Sequence, residues 1–85
     1  MSWQIRFSKG AEKQFRALPR KEQLRIAVRI DALAENPLPA GVKKLSGEEA
    51  IYRLRSGDYR ILYAIHDDVL SVLVLKIGHR REIYR

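Results

Sequence analysis

Cysteine is absent from this chain of 85 residues, which excludes disulfide bonds and thiolate metal sites. Histidine is scarce as well, because only His66 and His79 are present and they stand far apart in the sequence. Long apolar runs are also missing, since none approaches the ~20 residues of a membrane span. The first residues do not resemble a signal peptide. We therefore expect a cytoplasmic protein with no membrane span, no metal and no cofactor.

Acidic residues are in deficit. The chain carries 17 Lys and Arg against 10 Asp and Glu, which gives a formal net charge of +7. A charge this large on a small protein points to an anionic partner: nucleic acid, an anionic membrane surface or an acidic protein. The excess is spread over both halves of the sequence, so composition alone does not locate a site.

Length and apolar content predict one globular domain that spans residues 1–85. Hydrophobic residues make up 46% of the chain, which argues against disorder. A chain this short buries only ~60% of the surface that it exposes when unfolded. Its core is therefore small, and a partner can add to its stability.

The first half of the sequence predicts one strand and two helices. Residues 3–7 alternate apolar and polar side chains, which is the period of a half-buried strand. Ser8 is a suitable N-cap for a helix that carries apolar side chains along one face to about residue 18. A second amphipathic helix follows over about residues 20–35, and the Asn36-Pro37 pair ends it.

The second half predicts a connector over residues 38–49 and then three strands, at residues 51–55, 59–65 and 69–77. The last strand is apolar on both faces and ends at Gly78, so we expect it to be central and covered on both sides. The element order β-α-α-β-β-β predicts an α+β fold, in which a helical hairpin packs on one face of a mostly antiparallel sheet.

Two of these strands carry arginines that alternation places on one face. Successive side chains of a strand point to opposite faces, so Arg53 and Arg55 lie opposite to Tyr52 and Leu54. In the next strand Arg60 lies opposite to the tyrosine-bearing face. If the tyrosines pack against the helices, the three arginines emerge together on the far face. The expected extensions of this surface are Lys43 and Lys44 before the sheet, and His79, Arg80 and Tyr84 in the tail.

A basic surface of this kind has two interpretations. Arginine forks bind phosphate and stabilise the charge that builds up when a phosphodiester is cleaved, while Tyr84 or His79 would donate a proton to the leaving oxygen. Alternatively, the arginines only keep the sheet face wet by pairing with carboxylates. The candidates for such pairs are Asp58, Asp67, Asp68 and Glu82. Three arginines on one face favour phosphate binding. Their like charges repel one another when they cluster, and a purely structural role would not require them to lie together.

Five segments of the sequence carry a resemblance to a known family. They are the opening strand and helix, the Asn36-Pro37 helix end, KKLSG at residues 43–47, YRLRSGDYRILY at residues 52–63 and GHRREIY at residues 78–84. Together they resemble the RelE/ParE superfamily of bacterial toxins from type II toxin–antitoxin systems, and the RelE branch in particular. The resemblance covers essentially the whole chain, and the last two segments carry most of its specificity.

The resemblance implies an mRNA endoribonuclease that acts on the ribosome and is neutralised by an acidic, RelB-like antitoxin. Toxins of this kind cut the codon in the ribosomal A site without a metal. The 2′-OH of the mRNA attacks the adjacent phosphate and leaves a 2′,3′-cyclic phosphate and a free 5′-OH. The resemblance further implies that operator DNA is contacted only through the toxin–antitoxin complex, and that no membrane is bound.

The same resemblance assigns roles to particular residues. Arg53 and Arg55 match the paired basic residues of the family's active strand, and Arg60 matches the arginine after the strand-opening tyrosine. Arg80 matches the C-terminal arginine and Tyr84 the terminal tyrosine. Further contacts to RNA or the ribosome are expected from Lys43, Lys44, Arg81 and Arg85.

The general base and the target remain open at this point. Some members of the family have lysines in place of Arg53 and Arg55, and a guanidinium is a poor base because it does not lose its proton. His79, Tyr84 or the ribosome would then have to assist. The ParE branch shares the fold but resembles gyrase poisons, and a non-catalytic nucleic-acid binder or corepressor would use the same basic face. An acidic antitoxin segment would fold on contact into a groove between helices and sheet.

Overall fold

Two helices, five strands and one 3₁₀ turn make up the part of the chain that the structure, a computed structural model, describes: residues 2–45 and 50–81. The helices are α1 (Lys9–Arg16) and α2 (Arg20–Ala32). The strands are β1 (Gln4–Phe7), β2 (Lys43–Lys44), β3 (Ile51–Ser56), β4 (Tyr59–His66) and β5 (Ser71–His79).

The strands form one sheet in the order β1-β5-β4-β3-β2. β1 runs parallel to β5, and the other neighbours are antiparallel. This arrangement confirms the predicted α+β fold with a mostly antiparallel sheet and with the last strand in its interior. Among the described residues, no helix is long and apolar enough to cross a membrane.

The connector before the sheet contains a strand that the sequence prediction missed. Lys43 pairs with Arg53 and Lys44 with Tyr52, so β2 adds a short edge to β3. Two residues give no periodicity from which a strand could be recognised.

The boundaries predicted for the last strand were wrong by two residues at each end. The chain forms a 3₁₀ turn at Asp67–Val69, and Leu70 adopts the left-handed conformation with φ of 49°. The strand therefore begins at Ser71. Gly78 does not end it, because Gly78 keeps its place in the ladder opposite Arg60.

The core lies between the two helices and one face of the sheet. The core side chains include Ala11 from the first helix, Ile26, Ile30 and Leu33 from the second helix and its C-cap, and Leu54, Ile61, Tyr63, Val72, Val74 and Ile77 from the sheet. Burying one of the larger side chains stabilises the fold by about 1.5–3 kcal/mol. In the described part of the chain both helices pack on this face, so the expectation of a last strand covered on both sides was wrong. Leu73 and Leu75 remain partly exposed on the other face.

Polar side chains of α1 and its N-cap residue fix this helix to β5. The Ser8 hydroxyl accepts a hydrogen bond from the Ala11 amide at 3.0 Å, which confirms Ser8 as the N-cap. The same hydroxyl donates to the Leu75 carbonyl at 3.0 Å, and the Gln14 side-chain oxygen accepts from the Ile77 amide at 2.8 Å.

β5 contains a bulge beside these contacts. Leu62 pairs with Lys76, but the next residue of β4, Tyr63, pairs with Val74, so Leu75 is an extra residue in β5. A bulge re-aims the side chains that follow it. Ile77 consequently lies on the core face, where Val74 also lies, although the two are three residues apart.

Tyr63 connects the sheet to the loop after α2. Its side chain is fully buried, its hydroxyl donates to the Pro37 carbonyl at 2.6 Å, and its ring stacks on Tyr52 with centroids 5.9 Å apart. Burial raises the pKa of Tyr63 from 10.0 to about 12, and the nearby Tyr52 adds to the shift. The buried phenol is therefore held in its neutral form.

We expect Tyr63→Phe to lower the free energy of unfolding by about 1 kcal/mol at neutral pH, because the Pro37 carbonyl loses its donor. The folded protein holds the Tyr63 proton more tightly than the unfolded chain does. This contribution is therefore present below pH 10 and is lost as the pH rises toward about 12. The melting temperatures of the wild type and of Tyr63→Phe should converge over this pH window. A Tyr59→Phe control should show the same loss of stability with rising pH as the wild type. Parallel pH curves for wild type and Tyr63→Phe would contradict this account.

Candidate nucleic-acid interface

The sheet face that points away from the helices, here called the open face, collects cations from neighbouring strands. Arg55 of β3 stands directly opposite Arg60 of β4. Directly opposed residues of an antiparallel pair project from the same face with their Cβ atoms about 5 Å apart. Like charges at this spacing repel, so this pair has a cost that a bound anion would offset.

A second row on the open face lies one pleat further along the strands. It runs from Lys43 of β2 through Arg53 of β3 and Leu62 of β4 to Lys76 of β5. Three of its four members are basic. Arg53 and Lys76 are partly buried, and Lys43 is exposed. The structure thus brings together Arg53, Arg55 and Arg60, as alternation predicted, and adds Lys76.

Arg60 is the most deeply placed of these cations, with 8% of its surface exposed. Its guanidinium donates to the carbonyl oxygens of Gly57 and Tyr59, each at 3.2 Å, in the turn between β3 and β4. Both acceptors are neutral, so within the described residues no carboxylate compensates the charge of Arg60. A fixed and largely desolvated cation interacts strongly with an anion brought to it.

Lys76 was missed because the sequence prediction assumed an unbroken strand. Regular alternation would have put Lys76 on the face of Val72 and Val74, inside the core. The bulge at Leu75 turns Lys76 to the open face instead. The signal was present in the sequence, since a single lysine in an apolar run cannot be buried without a partner and so indicates a break in register.

His79 lies on the opposite side of the sheet from the arginines, which corrects the expectation that the tail brings it to them. β5 continues through Gly78, so His79 pairs with Tyr59 and shares its face. The two rings meet edge to face with centroids 5.7 Å apart, and His79 Nδ1 accepts from the Arg81 amide at 3.3 Å. In this position His79 cannot reach a phosphate on the open face.

Arg80 continues the register beyond the end of β5. Its amide donates to the Asp58 carbonyl at 2.7 Å, and its Nε lies 3.8 Å from Asp58 Oδ1. Alternation brings Arg80 to the side of Arg60. Its ion pair with Asp58 is solvent-exposed and is therefore worth little, so an anionic ligand can displace it.

The remaining predicted site residues divide between two groups. Lys44 pairs with Tyr52 and so lies on the helix side of the edge strand, while Arg81 is exposed after β5. Tyr84 and Arg85 lie outside the described residues, and so does Glu82, which was considered as an ion-pair partner. Of the other proposed carboxylates, Asp67 and Asp68 make no ion pair within the described residues, so they do not neutralise the arginines.

The fold and this surface define a class of protein: a small α+β domain with a helical hairpin on one sheet face and a concentrated basic surface on the other. The sequence-family model for the ParE toxin of type II toxin–antitoxin systems matches residues 5–84 of this chain. The chain belongs to the RelE/ParE superfamily of type II toxin–antitoxin toxins. This confirms the resemblance found in the sequence.

Relatives and solved structures agree with this family. The chain is 33% identical to toxin RelG of Mycobacterium tuberculosis, over 100% of its own length and 99% of that protein. It superposes on one chain of the archaeal RelE–RelB complex from Pyrococcus horikoshii with a TM-score of 0.84 at 29% identity, covering 96% of this chain and 99% of that chain. One chain of the intact RelBE toxin–antitoxin complex of Escherichia coli gives a TM-score of 0.80 at 26% identity, covering 92% of this chain and 96% of that chain.

Replacing Arg60 by methionine tests whether this residue serves binding rather than folding. The change removes two hydrogen bonds but also a desolvated charge, so we expect the free energy of unfolding to change by no more than about 1 kcal/mol. Affinity for a short single-stranded RNA should fall, while Arg20→Met, an exposed arginine at the start of α2, should leave it nearly unchanged. If Arg60→Met instead lowers the free energy of unfolding strongly while the folded fraction binds RNA as tightly as the wild type, Arg60 serves the fold and not binding.

Proposed function

We propose that this toxin is a ribosome-dependent mRNA endoribonuclease that leaves 2′,3′-cyclic phosphate ends. The observation that carries the proposal is the convergence of Arg53, Arg55 and Arg60 on the open face, with Arg60 fixed by backbone carbonyls. The likeness to chains of the RelE–RelB and RelBE complexes supports it. The same surface suits a polyanion, because arginine forks match phosphate oxygens.

In the proposed reaction the mRNA 2′-oxygen forms a bond to the adjacent phosphorus while the bond from phosphorus to the 5′-oxygen breaks. A base takes the proton from the 2′-OH, and an acid returns a proton to the 5′-oxygen. Negative charge builds up on the phosphate oxygens in between, and Arg55, Arg60 and Arg80 stabilise it. Tyr84 is proposed as the acid, from the family resemblance.

Lys76 is our candidate for the proton acceptor. Arginines do not give up their proton, and His79 lies on the wrong face. Lys76 is an amine in the same row as Arg53, and an amine can exchange a proton. Its place beside the arginines makes proton transfer from a 2′-OH held on the open face feasible.

An antitoxin is the proposed partner that keeps the toxin inactive. The structural relatives include RelE–RelB and RelBE complexes, and the net charge of +7 suits an acidic segment. Binding of operator DNA through the complex, and a cytoplasmic location, stay predictions from the sequence.

The gyrase-poison function is the second candidate, because the family model that matches the chain is that of ParE toxins. The two functions differ in their target. We expect primer extension on translated mRNA to show new 5′ ends only when ribosomes are present, and gyrase supercoiling to be unaffected. Inhibited supercoiling with intact mRNA would overturn the proposal in favour of the ParE-type function.

The role of Lys76 is tested with Lys76→Arg, which keeps the positive charge but cannot accept a proton. Single-turnover cleavage on mRNA-programmed ribosomes should slow by about 100-fold or more, as removal of a general base does, while binding to ribosomes is retained. His79→Ala serves as the control and should cleave at close to the wild-type rate. An undiminished rate in Lys76→Arg would reduce Lys76 to a source of charge.

A further inference from the structure

An open cleft of about 420 Å³ lies between α2 and the end of β3, around the sheet edge from the open face. It is lined by Arg25, Val28, Arg29, Arg55, Ser56 and Gly57. Three of these six residues are arginines, and no described residue that lines the cleft is acidic. The cleft is thus a concentrated basic surface separate from the row formed by Arg53 and Lys76.

The arginines of this cleft are weakly compensated. Arg25 and Arg29 stand one helical turn apart, where like charges destabilise a helix. Arg25 Nη1 lies 3.6 Å from Glu22 Oε1, a long contact in which the arginine side chain is 52% exposed. Arg29 and Arg55 form no ion pair within the described residues. Repulsion between these arginines destabilises the free protein, and a bound anion would reduce that repulsion.

The hairpin turn leaves room for the Arg25 guanidinium. Gly57 has φ of +60°, which suits the first central position of a two-residue β-hairpin turn. A Cβ atom at Gly57 would lie 3.4 Å from Arg25 Nη2, so this guanidinium rests over the turn. The β3–β4 turn therefore supports cations on two sides: Arg25 packs against Gly57, while Arg60 bonds to the Gly57 carbonyl.

Arg55 connects the cleft to the open face. It stands opposite Arg60 on that face and also lines the cleft. We infer that the cleft binds a backbone phosphate of RNA, next to the phosphate held on the open face. The inference rests on the proposed function in taking RNA as the ligand. It assigns to Arg25 and Arg29 a role in holding the strand, separate from the cleavage chemistry.

The lining favours a nucleic-acid backbone over an acidic peptide. A peptide segment that folds on binding needs apolar surface to offset its ordering, and among the described residues that line the cleft only Val28 has an apolar side chain. A phosphate instead needs charge and planar donors, which three guanidinium groups supply. The chemistry of the cleft therefore matches RNA more closely than an antitoxin.

The test replaces both α2 arginines in Arg25→Ala/Arg29→Ala. Its matched control is Lys9→Ala/Lys13→Ala, which removes the same charge at the same one-turn spacing from the exposed surface of α1. Binding of a short single-stranded RNA is measured over a range of salt concentrations, without ribosomes. We expect the double arginine variant to bind about tenfold more weakly at moderate salt, and its log–log salt slope to fall by about 0.7 in magnitude, the value for one phosphate contact. The control should keep the wild-type slope.

Several outcomes would overturn the inference. They are equal losses in variant and control, an unchanged salt slope in the arginine variant, no RNA binding by the wild type, or a loss of antitoxin affinity alone. Failure of the proposed function is recognised separately, because RNA binding does not require cleavage. A wild type that binds RNA with the expected slope but leaves translated mRNA intact would refute the nuclease while supporting the cleft.

Discussion

The site depends on how α1 secures the unpaired edge of β5. β1 ends at Phe7, opposite Val74, so beyond this point no strand among residues 2–45 and 50–81 pairs with β5 on that side. Ser8 and Gln14 take the place of the missing strand, because they bond to the Leu75 carbonyl and the Ile77 amide. These bonds hold the bulged register. A one-residue slip would put Lys76 into the core and Ile77 on the open face, so the same contacts protect the core and position a charge.

The distribution of charge links the stability of this protein to its binding. One sheet face and the outer side of α2 carry arginines that few carboxylates offset, and Arg60 is almost buried among neutral acceptors. Any anion that binds the folded state therefore gains Coulomb energy and stabilises the fold by mass action. An acidic antitoxin and an RNA strand both satisfy this condition. Before any partner binds, the positive charges of this surface have few neighbouring carboxylates to balance them, which is common at functional surfaces.

Strand alternation predicted the position of Arg53, Arg55 and Arg60 because the β3–β4 hairpin is regular from end to end. It failed in β5, where one extra residue at Leu75 reverses which side chains face the core. Lys76 was missed because side-chain bonds from a distant helix maintain that bulge, and His79 was misplaced because β5 continues through Gly78 instead of ending there. The cleft at Arg25 and Arg29 was also out of reach, since it depends on how closely α2 approaches a turn about 30 residues later in the chain.

The arginines divide into two kinds by how they are held, and this division bears on the proposed cleavage. Arg60 is fixed by two carbonyls and has little freedom left to lose, so it can meet developing charge without reorganising. Arg25 and Arg29 are exposed residues on a helix surface, and in our proposal their long side chains hold an RNA strand without defining its position. In this arrangement a few fixed groups would position the reacting phosphate and carry out the cleavage. More mobile side chains beside them would add to RNA binding, so a small domain could do both. Under the proposed function, the selectivity of cleavage would then come from the way the ribosome presents the 2′-OH, and not from the strength of RNA binding.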